Sequence, residues 1–149
     1  MQLLARISLA LGMFLLAGSG CASIGPYRSA TPNQDIHAAA PDGMTRVIFY
    51  NPVYSGLLKL NMGVKIEING HAGPFIQHSH YFQVFLPPGT HVVKLEHVDP
   101  FAFSNTYEIE VGRTDLFVKV GRKFAGNVLL IMDQLPTDFE QLFRPAVYP

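Results

Sequence analysis

Six histidines are the residues best able to do chemistry in this chain: His37, His71, His78, His80, His91 and His97. His78-Ser79-His80 sets two imidazoles at i and i+2. On an extended segment those side chains point to one face, and His71 joins them if the intervening residues fold back. His71, His78 and His80 are therefore the candidate metal ligands. Zinc takes three or four such donors at about 2.0–2.1 Å, and imidazole also suits copper or nickel. The same spacing also reads as a polar loop before a strand. No Asp or Glu lies between His71 and His80, so carboxylate support behind the ligands is thin. His91 has a plainer reading, a hydrogen bond from its ring to the backbone of the turn before it.

Other catalytic patterns are missing from the sequence. It has no Gly-x-Ser-x-Gly elbow and no Gly-x-Gly-x-x-Gly loop. Glu108 and Glu110 share a strand face and read as solvated. Arg113, Lys119, Arg122 and Lys123 read as ordinary surface, or as a contact for lipid headgroups or peptidoglycan phosphates. Eleven basic and eleven acidic residues cancel, which excludes a strongly basic nucleic-acid-binding surface. The expectation is a protein that is not an enzyme.

The elements that must position these residues begin after an unusual N-terminus. Residues 1–20 carry one charge, Arg6, followed by an apolar run over residues 7–17 and the small residues Gly18, Ser19 and Gly20. That is the layout of an export signal. No tract reaches the roughly 18 apolar residues of a membrane span. The small residues stand directly before Cys21, the only cysteine, so the segment resembles a bacterial lipoprotein signal peptide. Gly18 stands where the usual lipobox has an aliphatic residue. The alternative is cleavage nearby by an ordinary signal peptidase, which leaves a free thiol. The resemblance implies that Cys21 carries a diacylglycerol thioether and an amide-linked acyl chain. Each buried CH₂ contributes about 0.8 kcal/mol, and more than one chain makes anchoring stable. Ala22 follows the cysteine in place of Asp, which resembles the signal for export to the outer membrane.

Residues 21–43 read as a tether, with Pro26, Pro32 and Pro41 and no apolar period. Residues 44–149 read as one strand-rich domain. Residues 46–50, 59–69, 74–77, 81–86, 91–97, 106–111, 116–120 and 125–132 are apolar or alternating runs divided by turn residues. The last of them reads as strand or helix. Seven or eight short strands at this spacing predict a β-sandwich or small barrel. Asn69-Gly70 is a hairpin signal. Pro87-Pro88-Gly89 stops a strand and reverses the chain. Thr137 and Glu140 have capping-box spacing, and Phe139, Leu142 and Phe143 form one face of a short C-terminal helix. That face is expected to cover an edge or an open end of the sandwich. Two loops hold apolar residues outside any strand period, one with Tyr54 and Leu57, the other with Phe101 and Phe103. They are either core plugs or partner-contact loops. If they share one end of the sandwich, they form an apolar binding surface.

The stretch VKIEINGHAGPFIQHSHYFQVFLPPGTHVVKLEH resembles the DUF2846 family of small bacterial lipoproteins, and is similar more loosely to PEGA-type domains. Asn69-Gly70 stands at the family's Asp/Asn-Gly turn, Tyr81-Phe82 at its aromatic pair and Pro88-Gly89-Thr90-His91 at its Pro-Gly-x-His turn. Val111-Gly112-Arg113-Thr114 and Phe117-Val118-Lys119-Val120 match the later strand pair. The resemblance covers about residues 46–143. It implies an all-β sandwich of transthyretin- or immunoglobulin-like look, about seven strands, with no catalytic residues and no cofactor beyond the lipid on Cys21. The combined expectation is an outer-membrane lipoprotein facing the periplasm, held to the membrane by its lipid. It would serve as an accessory subunit for an envelope protein partner and bind no nucleic acid. The rival expectation is a small-ligand or metal-binding module built on the histidine cluster. A hydrolase or transferase is the third, and nothing in the sequence points to one.

Overall fold

Period-two alternation produces two stacked sheets. The computed structural model describes residues 35–53, 63–97, 103–123 and 126–147. The signal segment, Cys21, the tether up to residue 34, and the loop residues Tyr54, Leu57 and Phe101 lie outside the described residues. The strands are β1 (Thr45–Asn51), β2 (Val64–Ile68), β3 (His71–Ile76), β4 (His80–Leu86), β5 (Gly89–His97), β6 (Ser104–Val111), β7 (Leu116–Lys123), β8 (Gly126–Met132) and β9 (Arg144–Pro145). A single helical turn, α1 (Phe139–Leu142), precedes β9. The five-stranded sheet has the order β8-β7-β1-β4-β9 and the four-stranded sheet the order β3-β2-β5-β6. The all-β sandwich with a short C-terminal helix is the observed fold, and residues 126–132 are strand.

Each sheet contributes alternate side chains to one core. Val47, Phe49, Phe82, Val84, Leu86, Val118 and Val120 face inward from the five-stranded sheet. Val64, Ile66, Ile68, Ile76, Val93, Leu95, Ile109 and Val111 meet them from the other. In β2 and β5 the intervening residues are exposed or half-buried, as expected for a sheet with one wet face. Strands β1 and β4 differ. Nearly every residue in them is buried, which matches their continuous apolar runs VIFY and YF-VFL. Their second face is covered by the C-terminal segment.

Two polar knots hold the layers in register. At one end, Asn69 and Gly70 both take positive φ, 51° and 80°, the geometry of a tight two-residue hairpin. This frees the Asn69 side chain to bridge. The Val92 N–H donates to Asn69 Oδ1 at 2.9 Å, and Asn69 Nδ2 donates to His91 Nδ1 at 2.8 Å. His91 Nε2–H then donates to the Pro87 carbonyl at 2.8 Å. One neutral tautomer satisfies both contacts, and the ring–turn hydrogen bond expected of His91 is present. The hairpin β2–β3 is thus tied to the β4–β5 turn, where Gly89 sits at φ 135°.

The second knot is Asn127, a buried residue at the start of β8. Its Nδ2 donates to the carbonyls of Leu95 and Phe103, both at 2.9 Å. Its Oδ1 accepts from His97 Nδ1 at 3.1 Å. Its backbone N–H donates to Asn105 Oδ1 at 3.0 Å, and its carbonyl accepts from the Tyr107 hydroxyl at 2.5 Å. One residue of the five-stranded sheet is therefore fastened to both β5 and β6 of the four-stranded sheet.

Cutting the first knot strips buried His91 and the half-buried groups around it of partners, at a cost of up to about 1–3 kcal/mol. Asn69→Ala and His91→Ala should each lower the denaturant midpoint by an amount in that range. The double variant should lose less than the sum, because the two side chains share one bond. Strict additivity would show that they act separately.

Candidate functional site

The outer face of the five-stranded sheet carries Ile48, Tyr50 and Tyr81, side chains too apolar to stand in water. The C-terminal segment covers them. Tyr50 meets Phe139 and Phe143 edge-on at 5.6 and 5.3 Å between ring centres, and Phe139 stacks on Phe143 at 4.6 Å. Tyr81 packs tilted against Phe139 at 5.3 Å. Such ring pairs contribute about 0.5–1.5 kcal/mol beyond their buried area. The expected helix exists but is one turn long, and it corrects three sequence readings. Asp138, not Thr137, is the N-cap, and no side chain caps it. Leu142 is exposed, so only Phe139 and Phe143 of the expected stripe are buried. The helix covers a sheet face, that of Ile48, Tyr50 and Tyr81, rather than an edge or an open end. Aromatic docking, not capping, holds this turn.

Beyond the helix the chain turns back into a strand. Phe143 is extended, and the Arg144 and Ala146 N–H groups donate to the carbonyls of Ser79 and Tyr81 at 2.9 and 2.7 Å. Pro145, which has no N–H, falls at the residue between those two donors.

A strap over residues 35–38 closes the other side of this face. Ile36 packs against the aromatic cluster. Arg46 donates from one guanidinium nitrogen to the Ile36 carbonyl and from two others to Asp115 Oδ2, with Nε at 3.0 Å. His37 Nε2–H donates to Glu140 Oε1 at 2.8 Å. Between strap, sheet and helix lies an open cleft of about 400 Å³. Ile48, Phe117 and Phe139 line it together with Arg46, His37 and Glu140. Arg46, held by Asp115, and the His37–Glu140 pair hold the strap down. Sequence reading missed this site, because its parts lie about a hundred residues apart.

The residues singled out in the sequence fall at two ends of the sandwich. His71 pairs with Ile68 beside the Asn69 hairpin. His78 and His80 flank the turn at the other end of β3. Five residue steps of strand lead from His71 to Ile76, roughly 17 Å at 3.3 Å per residue, so the structure does not bring the three imidazoles together. No group of three or more metal-ligating side chains occurs among the described residues. Residues 78 and 79 form a turn rather than an extended run into His80. Ser79 has φ 58°, and its N–H and carbonyl bond to Asn51 and Arg144. Within that turn His78 Nδ1–H donates to the Pro52 carbonyl at 3.2 Å and His80 Nδ1–H to the His78 carbonyl at 2.8 Å. Both rings therefore hold their lone pair on Nε2.

The end that holds His78 and His80 is also where the two apolar loops begin. Val64, after the first loop, is the register partner of His97, before the second. Asn51, before the first, pairs with His80. Phe103 is partly exposed there, while its carbonyl is bound by Asn127 and by the His97 N–H. Tyr54, Leu57 and Phe101 lie outside the described residues, but the strands that carry their loops root side by side. No family model matches the chain, and no curated protein or solved structure matches it.

Burial, reinforced by the negative charges of Glu140 and Asp35, raises the Tyr81 hydroxyl above its ordinary value of 10.0. The fold thus favours the neutral phenol. The stability this gives is complete below about pH 10, the unfolded value. It is lost as pH climbs through the raised folded value. Tyr81→Phe should therefore lose less melting temperature than the parent chain on moving from about pH 9 to about pH 11. Tyr107, whose hydroxyl is also raised by burial, remains in both proteins. Equal losses would show that Tyr81 does not couple ionisation to folding.

Proposed function

We propose that this chain is an envelope lipoprotein, anchored through Cys21, whose β-sandwich is a non-catalytic binding and structural domain for a periplasm-facing membrane assembly. The observation that carries this reading is the common root of the two apolar loops at one end of a doubly fastened sandwich. Rigid strands bearing variable loops at one end are a general solution for recognition. The cleft on the outer face supports the same reading. Beside it the Arg46–Asp115 and His37–Glu140 pairs hold residues 35–38 against the sheet, on the side of the chain that leads toward Cys21. The N-terminal pattern and the order of the Asn-Gly, Tyr-Phe and Pro-Pro-Gly-Thr-His motifs support the lipoprotein part.

Two measurements test this. A labelled fatty acid fed to expressing cells should enter the full chain and be absent from Cys21→Ser. A photo-crosslinking residue at Phe103 should capture a defined envelope protein from intact cells, and Cys21→Ser should lose that adduct. The same residue at Val92, exposed on β5, should not form it. An unlabelled chain overturns the anchor. Equal capture at both positions overturns the loop end as the contact surface.

His78 and His80 favour a second reading. A histidine that binds a metal usually donates its other ring N–H to a carbonyl or carboxylate, and both rings do so here. If this pair begins a metal site, the full chain should take up one zinc or copper ion, and His78→Ala/His80→Ala should abolish that uptake. Thermal melts unchanged by either metal would remove the reading.

A further inference from the structure

The four edges of the two sheets are not equally protected. β3 carries Pro74 and pairs irregularly with β2 around Lys65 and Glu67. β6 presents Glu108 and Glu110 and is fastened to β8 through Asn105. β9 is two residues long and contains Pro145. Charge, proline, irregular pairing and short length are the means by which natural sheets keep their edges from joining others. β8 has none of them. It is the terminal strand of the five-stranded sheet, and Gly126–Met132 contains no ionisable side chain and no proline. Its first half is closed against β6 by Asn127. Its second half is open, with Leu130 48%, Ile131 53% and Met132 36% exposed.

The exposed residues lie on both faces. Ile131 stands opposite Val118, a core residue, so it points inward, beyond the cover of the four-stranded sheet. Leu130 and Met132 stand opposite Lys119 and Phe117 and point outward. A strand that is apolar on both faces and open along its ladder is matched by another strand of the same kind. β8 itself meets that description. Laid antiparallel on its own copy about Leu130, it sets Leu130 against Leu130 and Val128 against Met132 on one face. On the other it sets Leu129 against Ile131 twice. Every pair is apolar, and no like charges meet.

We propose that β8 is a self-association edge, at which two copies of this chain join their five-stranded sheets about a two-fold axis at Leu130. The pairing is isologous, so it closes at a dimer rather than growing into a fibre. A single pair of short strands is a small contact beside the roughly 1,200–2,000 Å² of stable specific interfaces, so the dimer should depend on concentration. The inference does not depend on the lipid anchor or on the loop end.

The test uses the full chain in cells, with a photo-crosslinking residue at Met132. An adduct of twice the chain mass is expected, rising with expression level and absent when the same residue replaces Val92. Leu130→Lys places two cations face to face on the axis and should weaken association by about tenfold, equivalent to about 1.4 kcal/mol. Co-expression of Leu130→Lys with Leu130→Glu should restore the adduct as a mixed pair. Thermal melts of both variants check that the exposed site tolerates the change. Failure of the mixed pair to recover the adduct overturns the proposal. So does a monomer at every expression level, or an adduct of any other mass.

Discussion

Strands β1 and β4 bear apolar side chains on both faces, and no single partner layer can cover them. Val47 and Phe49 need the four-stranded sheet on one side, while Ile48 and Tyr50 need something else on the other. Most of the architecture follows from that double demand. The C-terminal segment is drawn back across the sheet so that Phe139 and Phe143 cover Tyr50 and Tyr81. β9 extends the sheet beside β4 because the chain has been brought there. The strap at residues 35–38 completes the cover, and Arg46 and His37 fasten it. A helix of one turn has almost no stability of its own, so its place is decided by the aromatic surface beneath it.

Polar groups do the registering that apolar packing cannot. A sandwich core tolerates sliding of one greasy face over another, whereas a buried amide with fixed partners does not. Asn127 bonds to β5, β6 and the residue before β6, and Asn69 with His91 ties a hairpin to a turn. The two knots sit at opposite ends of the sandwich. Between them they define which loops share an end, and so which side chains a partner meets together.

The same fastening explains the uneven edges. Once Asn127 has closed the first half of β8 against β6, the second half runs on past the smaller sheet with no layer above Ile131. A five-stranded sheet facing a four-stranded one leaves such an overhang, and in this chain the overhang is apolar.

The sequence by itself determined most of the strands, because a residue's own neighbours decide whether it alternates; residues 126–132 stayed open between strand and helix, and β9 left no local sign. VKIEI declared one wet face, RVIFY, YFQVFL and HVVKLEH declared strands, and Asn-Gly and Pro-Pro-Gly declared their turns. It also determined the bond from His91 to its turn, a contact four residues long. What only the tertiary structure decided were contacts between residues distant in the chain. Arg46 with Asp115, His37 with Glu140 and Asn127 with Leu95 leave no local trace, because neither partner's neighbours hint at the other. The histidines illustrate the limit. Spacing alone put His71, His78 and His80 in one cluster, but Ser79 turned and β3 ran the length of the sheet between them. The capping box failed for a related reason, since a residue's capping power counts only where the backbone ends a helix. Packing of the Phe139 ring on Tyr50 and Tyr81, not the Thr137 hydroxyl, chose where that end would be.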